Sequence, residues 1–476
     1  MNYLLQDVAP QMPLRYFEEI SAIPRASGNE GGMADYLSAF AKAHGLFCYR
    51  DAANNVLIKA PATKGREQEP SVILQAHTDM VAEKNAGVVH DFEKDGIRLV
   101  REGDILRADG TTLGADDGYG VSMILGVLTE CNDHPALECL FTASEETGMD
   151  GALAFDYSQL SARILLNLDG GEDDLLTCGC CGGLRSDLSL PVTVTEDEAA
   201  GLCITLDGLC GGHSGEDIHR GRQNALGLMA ELLCAVKELG GLRIGALHGG
   251  DKSNAIPRDC RAVITTADTV RAAQVLEGKI AQIRSRLVAD DAGFTATVAP
   301  CTATALCAED DTDRILRLLS VSGGVMEWHS EIKGLPYTSR NVASVRLDGE
   351  ECRIVISHRS FDFAKVEASG KEIDACVESV GGCAHHHNAY PGWDSPVSSP
   401  LIEKWRRAYE GVTGTPLRVN AIHAGLECGL FAGNLPGLSA ISLGCNIKDL
   451  HTPAERMELS SYERIYRTLL TFLKKD

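Results

Sequence analysis

Four strand-length apolar runs in this chain pass straight into clusters of acids and imidazoles. They are SVILQAHTD (71–79), ALECLFTASEETG (136–148), RILLNLDGG (163–171) and LSAISLGCNIKDLHTPAE (438–455). Helical patterns such as GGMADYLSAFAKAHG and YGVSMILGVLTECN lie among them, with apolar residues at three- and four-residue steps. Strands alternating with helices of that length imply an α/β unit with a mostly parallel central sheet. In open sheets of that kind ligands bind outside the carboxyl ends of the strands, and that is where these clusters fall, so the pattern points to one shared site. A further stretch, TTLGADDGYG (111–120), sets two aspartates side by side in a glycine-rich turn before the apolar VSMILGVL.

From about residue 187 the texture changes to alternating strands such as LRSDLSLPVTV and RAVITTAD, joined to the helix-like VRAAQVLEGKIAQIRSRLV. After HHHNAYPGWDSP (385–396) the first texture returns with LIEKWRRAYEGV. The expected organisation is an α/β catalytic domain in two parts, 1–186 and 387–476, interrupted by an inserted α+β domain at 187–386. Within the insert, KSNAIPRDCRAVITTAD (252–268) and TSRNVASVRLDGEECRIVISHRS (338–360) share an Asn, a short apolar pair and a following strand, a signature of internal duplication. The HHH run at 385–387 resembles a metal tag, but its place at the expected return crossing makes a solvated linker the expectation. CGCCGG (178–183) has no second cysteine pair to complete a structural zinc site and is expected to be a tight, buried crossing between domains.

Composition narrows the partners. A net charge of −23 repels phosphate backbones and anionic lipid, which argues against nucleic acid or a membrane surface. No apolar run approaches the roughly 18 residues that span a bilayer. The N-terminal MNYLLQDVAPQMPLRYFEEI lacks the basic region and apolar core of a signal peptide. The 17 cysteines show no framework spacing, so reduced thiols and a cytoplasmic location are expected.

Any one acid after a strand is ordinarily a turn former or a helix cap. The set is harder to explain that way. His77, Asp116, Glu146, Asp169 and His451 are two imidazoles and three carboxylates, each at or near a predicted strand end or its following turn. Desolvation and mutual repulsion oppose gathering three ionised carboxylates, whereas two divalent cations would balance them together with one hydroxide. Nitrogen and oxygen donors suit zinc, cobalt or manganese, and a bridging carboxylate suits metals roughly 3.5–4 Å apart. His77 and Asp79 lie two apart on an extended segment, so Asp79 can hold the second ring nitrogen of His77. Glu145 and Glu146 are adjacent with diverging side chains, so one can ligate while the other takes a proton.

HTDMV (77–81), GADDG (114–118), SEETG (144–148), NLDGG (167–171), GGHSGEDIHRGRQNA (211–225) and HTPAERM (451–457) resemble, in order, the aminoacyl-histidine dipeptidases. These form the carnosinase-like peptidase D branch of the dinuclear zinc aminopeptidase and aminoacylase superfamily, and HAGLECGLF (423–431) favours that branch. The resemblance implies a zinc-peptidase-like catalytic domain with an inserted lid, two divalent ions, most simply Zn²⁺ with Co²⁺ or Mn²⁺ as alternatives, and a homodimer acting on small peptides. His77 and Asp169 would hold one ion, Glu146 and His451 the other, and Asp116 would bridge them. Glu145 would be the general base, Asp79 the orienting partner of His77, and His213 the lid histidine that supports the carbonyl oxygen, in its own chain or a partner's. The resemblance also implies a cis peptide between Asp116 and Asp117, with Asp117 fixing backbone and not ligating. Arg359 is the first choice for the substrate carboxylate, with Arg258 and Arg340 as competitors. Asn254 and Asn341 are expected to contact substrate or cap turns, and Glu427 to hold a free amino terminus or pack as a helix acid.

Other readings remain at this stage. An N-acyl-amino-acid amidohydrolase or a broader di- or tripeptidase would use the same site. GALHGGDKS (245–253) suggests a nucleotide loop, but Asp251 stands where that loop needs lysine. A relative without catalysis would be expected to lack the base, and Glu145 is present.

Overall fold

The computed structural model describes residues 3–475. The chain divides into two compact units. The first runs to Cys180 and includes Trp393–Ala421 and the chain from Leu426 onward; the second is Cys181–Gly392 with Ile422–Gly425.

The first unit is built on a nine-stranded sheet. Its order is Phe47–Arg50, Val56–Ala60, Leu137–Thr142, Val72–His77, Ile164–Gly170, Ser439–Gly444, Leu175–Cys180 and Trp393–Asp394, with Arg418–Ile422 paired to Leu175–Cys180. Four neighbours in the middle run parallel: Leu137–Thr142, Val72–His77, Ile164–Gly170 and Ser439–Gly444. Their carboxyl ends therefore share one edge, which brings the four cluster-bearing loops together. Val72–His77 is buried at every position, as a central strand covered on both faces must be. Ile73 and Leu74 are fully enclosed, each burial worth about 1.5–3 kcal/mol. The helix Ala115–Glu130, apolar all round over VSMILGVL, is buried from Ala115 to Val127 apart from Asp116, so its start is held rigidly beside that strand end.

The second unit holds another nine-stranded sheet, all of whose pairings are antiparallel. Its order is Thr295–Ala303, Ala199–Asp207, Cys260–Thr265, Arg243–Gly249, Pro336–Asp348, Glu351–Ser360, Gly182–Pro191 and Cys383–Tyr390, with Gly324–Trp328 paired to Pro336–Asp348. Apart from Gly324–Trp328, it consists of two βαββαβ halves. One carries the helices Ala225–Lys237 and Thr269–Arg286, the other Glu309–Leu319 and Phe363–Ser379. From its outer edge each half reads fourth, first, third, second strand, and the two second strands meet where His248 pairs with Arg346. Both similar sequence stretches include the third strand of their half, but Asn254 precedes that strand in the connection whereas Asn341 lies within the second strand.

Two expectations need correction. The main crossings between units lie at 180/181 and 392/393, and not at 186/187 and 386/387, because Gly182–Pro191 and Cys383–Tyr390 are each continuous strands of the second sheet; the chain crosses twice more, at 421/422 and 425/426. For the same reason HHH is not a solvated linker. His386 points inward, 2.9 Å from Ser186 Oγ through Nδ1 and 2.9 Å from Asp374 Oδ1 through Nε2, while His385 and His387 stack on the opposite face. Among the described residues no helix is long and apolar enough to cross a membrane.

Candidate metal centre

Each strand end delivers its side chain through a different local device. His77 is the last residue of its strand, 1% exposed, and its backbone N–H donates to Asp117 Oδ2 at 3.1 Å. Asp117 also accepts from the Gly120 N–H at 3.1 Å and is fully buried, so it fixes backbone, as the resemblance implied; its peptide bond to Asp116 is cis. Glu145 and Glu146 follow a turn in which Ser144 has φ +52°, held by Glu30 Oε1, which accepts the Ser144 N–H at 3.0 Å and its hydroxyl at 2.8 Å. His451 itself has φ +59°, an uncommon conformation for a residue with a Cβ and one that clusters at functional sites.

The side chains converge in two triads that share Asp116: His77, Asp116 and Asp169, and Asp116, Glu146 and His451, with the donor atoms of each within 4.8 Å of one another. His77 Nε2 lies 3.0 Å from Asp116 Oδ1 and 3.8 Å from Asp169 Oδ1. His451 Nε2 lies 3.4 Å from Asp116 Oδ2 and 3.0 Å from Glu146 Oε1. Glu146 Oε1 is buried, and although His451 Nε2 lies 3.0 Å away the two are not aligned for a hydrogen bond, as expected for two ligands facing a common cation. Glu145 groups with His77 and Glu146, on the rim of the same cluster.

The electrostatics show the same demand for positive charge. Burial opposes a proton on His77, but Asp116, Asp79 and Asp169 outweigh it and raise its proton affinity well above normal. Asp116 and Glu146 raise His451 to about 10. Burial, then the Asp116 charge, pushes Asp169 well above the usual carboxylate range. Burial, with Glu427, Glu146 and Asp116, pushes Glu145 to about 8 against the pull of His77. Asp169 and Glu145 resist ionisation while both imidazoles attract protons beside Asp116, an imbalance that bound cations relieve. The donor set therefore fits two divalent ions, one in each triad.

Asp79 is fully buried. Its Oδ1 lies 3.3 Å from His77 Nδ1 and accepts the Glu145 N–H at 3.0 Å, while Oδ2 accepts from Glu146 N–H at 3.2 Å and Ser27 Oγ at 2.7 Å. Although burial disfavours its charge, these groups bring the carboxyl down to about 2. Asp79 thus ties the His77 ring to the turn that carries both glutamates.

Glu427 is completely buried in the first unit, where Oε2 accepts from Gln75 Nε2 at 2.6 Å and Thr142 Oγ1 at 2.9 Å. That is the packed helix acid of the two expectations, although its Oε1 has no donor and burial lifts it to about 7. Gln75 Oε1 in turn accepts from Asn167 Nδ2 at 2.6 Å, a buried layer two residues before His77 and Asp169 that sequence reasoning missed. It also missed Arg25 and Glu455, buried to 2% exposure each, because neither lies at a strand end. The second residue was nonetheless visible inside HTPAERM.

In the second unit His213 Nδ1 accepts the Glu216 N–H at 3.1 Å, which leaves its Nε2 as the donor; burial and the Arg359 charge lower its proton affinity. Arg359 donates to the Tyr390 hydroxyl at 3.3 Å, its Nε is buried without an acceptor, and no carboxylate pairs with it among the described residues. Arg340 is buried against Ser369 and Glu372, and Arg258 is exposed. Asn341 donates to Ala255 O at 2.8 Å from a buried strand position, and exposed Asn254 contributes its carbonyl to Ser214 N–H at 2.8 Å. His423, absent from the expected set, is buried with Nε2 2.7 Å from Ser339 Oγ.

Known proteins give a consistent picture. Residues 73–475 match the sequence pattern of Peptidase family M20/M25/M40. The chain is 36% identical over 480 residues to the cytosol non-specific dipeptidase of Escherichia coli (strain K12), covering 99% of each. It superposes on the crystal structure of aminoacylhistidine dipeptidase from Vibrio alginolyticus with a TM-score of 0.92 at 31% identity over 99% of both chains. A Staphylococcus aureus tripeptidase shares the fold at TM-score 0.56 and 17% identity over 98% of both chains. The chain belongs to Peptidase family M20/M25/M40.

Proposed function

We propose that this chain is a dinuclear metallodipeptidase that hydrolyses the peptide bond of dipeptides, with Xaa-His substrates of the carnosine type among them. The observation that carries the reading is that the two oxygens of Asp116 face different triads, with Glu145 beside both. His77, Asp116 and Asp169 would hold one ion, and Asp116, Glu146 and His451 the other. When bound, such a pair supplies Lewis-acid charge for the scissile carbonyl and makes water acidic enough to attack near neutral pH. Glu145 takes the proton from the attacking water and later delivers it to the leaving amine nitrogen. Asp79 keeps the His77 ring and the Glu145 backbone in fixed relation while this happens. His213, with a hydrogen on Nε2, is the proposed donor to the carbonyl oxygen as charge develops there.

Arg359 is the proposed carboxylate fork. A buried guanidinium without an acid is costly unless an anion arrives, which distinguishes it from Arg340 with its own acid. Arg359→Lys is expected to raise KM for dipeptides by about 10-fold or more while kcat changes less, since lysine keeps the charge but loses the planar fork. Steady-state kinetics on one dipeptide check it, and an unchanged KM removes Arg359 from the site. Asn341 and Asn254 are the proposed supporting groups at the substrate site, acting through Ala255 O and the Ser214 N–H, while Glu427 supports the metal ligands from beneath.

Zn²⁺ is the proposed native metal, with Co²⁺ or Mn²⁺ as substitutes, a homodimer the proposed assembly and the cytoplasm the proposed location. The names of the relatives span a non-specific dipeptidase and an aminoacylhistidine dipeptidase, so breadth of substrate is the open variable. The test is metal analysis joined to a panel of Xaa-His dipeptides, other dipeptides, tripeptides and N-acetyl amino acids, with and without chelator. Dipeptide turnover that is lost on chelation and restored by Zn²⁺ is expected. Turnover confined to N-acetyl amino acids, or unaffected by complete metal removal, overturns the reading.

A further inference from the structure

The loop that carries Asp116 is gripped by two buried charges, neither of which is placed to ligate a metal. Glu455 Oε2 accepts the N–H groups of Leu113 at 2.8 Å and Gly114 at 3.0 Å; Oε1 accepts those of Ala115 at 2.8 Å and Asp116 at 3.4 Å. One carboxylate thus holds consecutive amides of the turn that ends at the shared ligand, much as an anion sits in a backbone nest. From the other side the Arg25 guanidinium donates to the Gly114 carbonyl and, at 3.1 and 3.0 Å, to the carbonyls of Thr78 and Asp79. Those two residues directly follow His77. Glu455 lies four residues beyond His451, in a turn closed by Glu455 N–H to Thr452 O at 3.0 Å.

The glycines of GADDG leave room for this contact. Gly114 has φ +67°, and a Cβ there would lie 2.6 Å from both Arg25 Nη2 and Met80 Sδ. A Cβ on Gly118 would likewise lie 2.6 Å from Arg25 Nη2. A side chain at either position would displace the guanidinium.

We propose that Arg25 and Glu455 are positioning residues: a buried charged clamp that ties the loops of His77, Asp116 and His451 together and so sets the affinity of the site for its two cations. The clamp rests on the dinuclear reading above. It acts through the backbone, because the two oxygens of Asp116 face different triads and a small rotation of its turn would disturb both at once.

The test is titration of metal-free full-length protein with Co²⁺, followed by calorimetry and by the visible absorption of the bound ion. Apo-protein melting is measured in parallel. Wild type should take up two ions per chain; uptake of none defeats the dinuclear reading itself. Glu455→Gln keeps the size of the side chain but faces an NH₂ group toward backbone donors, and Arg25→Lys keeps the charge but cannot reach three carbonyls. Each is expected to bind Co²⁺ about 10–100-fold more weakly, with a changed absorption band, the scale found when outer partners of metal ligands are removed. A purely structural role predicts lower apo melting temperatures with wild-type affinity and spectrum, and that result overturns the clamp. If Glu455→Gln does not fold, Arg25→Lys decides; failure of both to fold also favours the purely structural role and overturns the proposal.

Discussion

Glu145→Gln is expected to lower kcat for dipeptide hydrolysis by about 10²–10⁴-fold, the range associated with loss of a positioned general base, while both metals remain bound. The argument is geometric. Glu145 and Glu146 leave the same turn, but Glu146 belongs to the triad with Asp116 and His451, whereas Glu145 groups only with His77 and Glu146. The backbone N–H of Glu145 is fixed by Asp79, so the amide variant should keep its place and lose only its basicity. Metal content by elemental analysis and kcat on one dipeptide check both halves of the statement. Full turnover in the variant would remove Glu145 as the base. Loss of one metal would make it a ligand instead.

Asp116→Asn should be more severe, because it acts on the site before any chemistry. The substitution preserves shape but removes the charge to which both triads contribute, and an amide offers a single oxygen where two are required. Repulsion among the remaining acids falls, yet His77 loses its nearest carboxylate and His451 keeps only Glu146 of its two. Affinity for both ions is expected to fall by more than the roughly 10–100-fold that follows loss of an outer partner, and turnover should fall to background. Titration of the metal-free variant with Zn²⁺ checks this. Retention of two tightly held ions would show that Asp116 is not shared. Because Asp117 fixes the His77 and Gly120 amides and belongs to neither triad, Asp117→Asn serves as a contrast whose defect should be in folding before metal binding.

The catalytic architecture was legible because its signals are local. A strand that is buried on both faces reads as an unbroken apolar run, and a parallel sheet forces the ends of such runs to one edge. VILQAH, LECLFT and ILLNLDG could therefore be placed with their acids before any contact was known. His451 was harder, since it follows its strand by several residues and stands in a turn with positive φ. Its pairing with Glu146 depends on a loop path that periodicity does not encode. HHH misled because three polar residues beside a proline-containing segment look like a linker. The alternation that sends His386 inward becomes evident only when the strands carrying Ser186 and the helix carrying Asp374 are in place.

By itself the sequence determined the class of the chain: the parallel α/β core, the insertion of a second α+β body, and the kinds of donor atoms gathered at the strand ends. Those properties follow from periodicity and residue chemistry, which are carried within a few neighbouring positions. Only the tertiary structure decided which charges sit behind the ligands. Arg25, Glu30 and Glu455 meet loops 342 to 53 residues away, as with Glu455 and Leu113 at one extreme and Arg25 and Thr78 at the other. Buried charge must find its partner wherever the fold supplies one, and that partner is chosen by chain path, not by spacing.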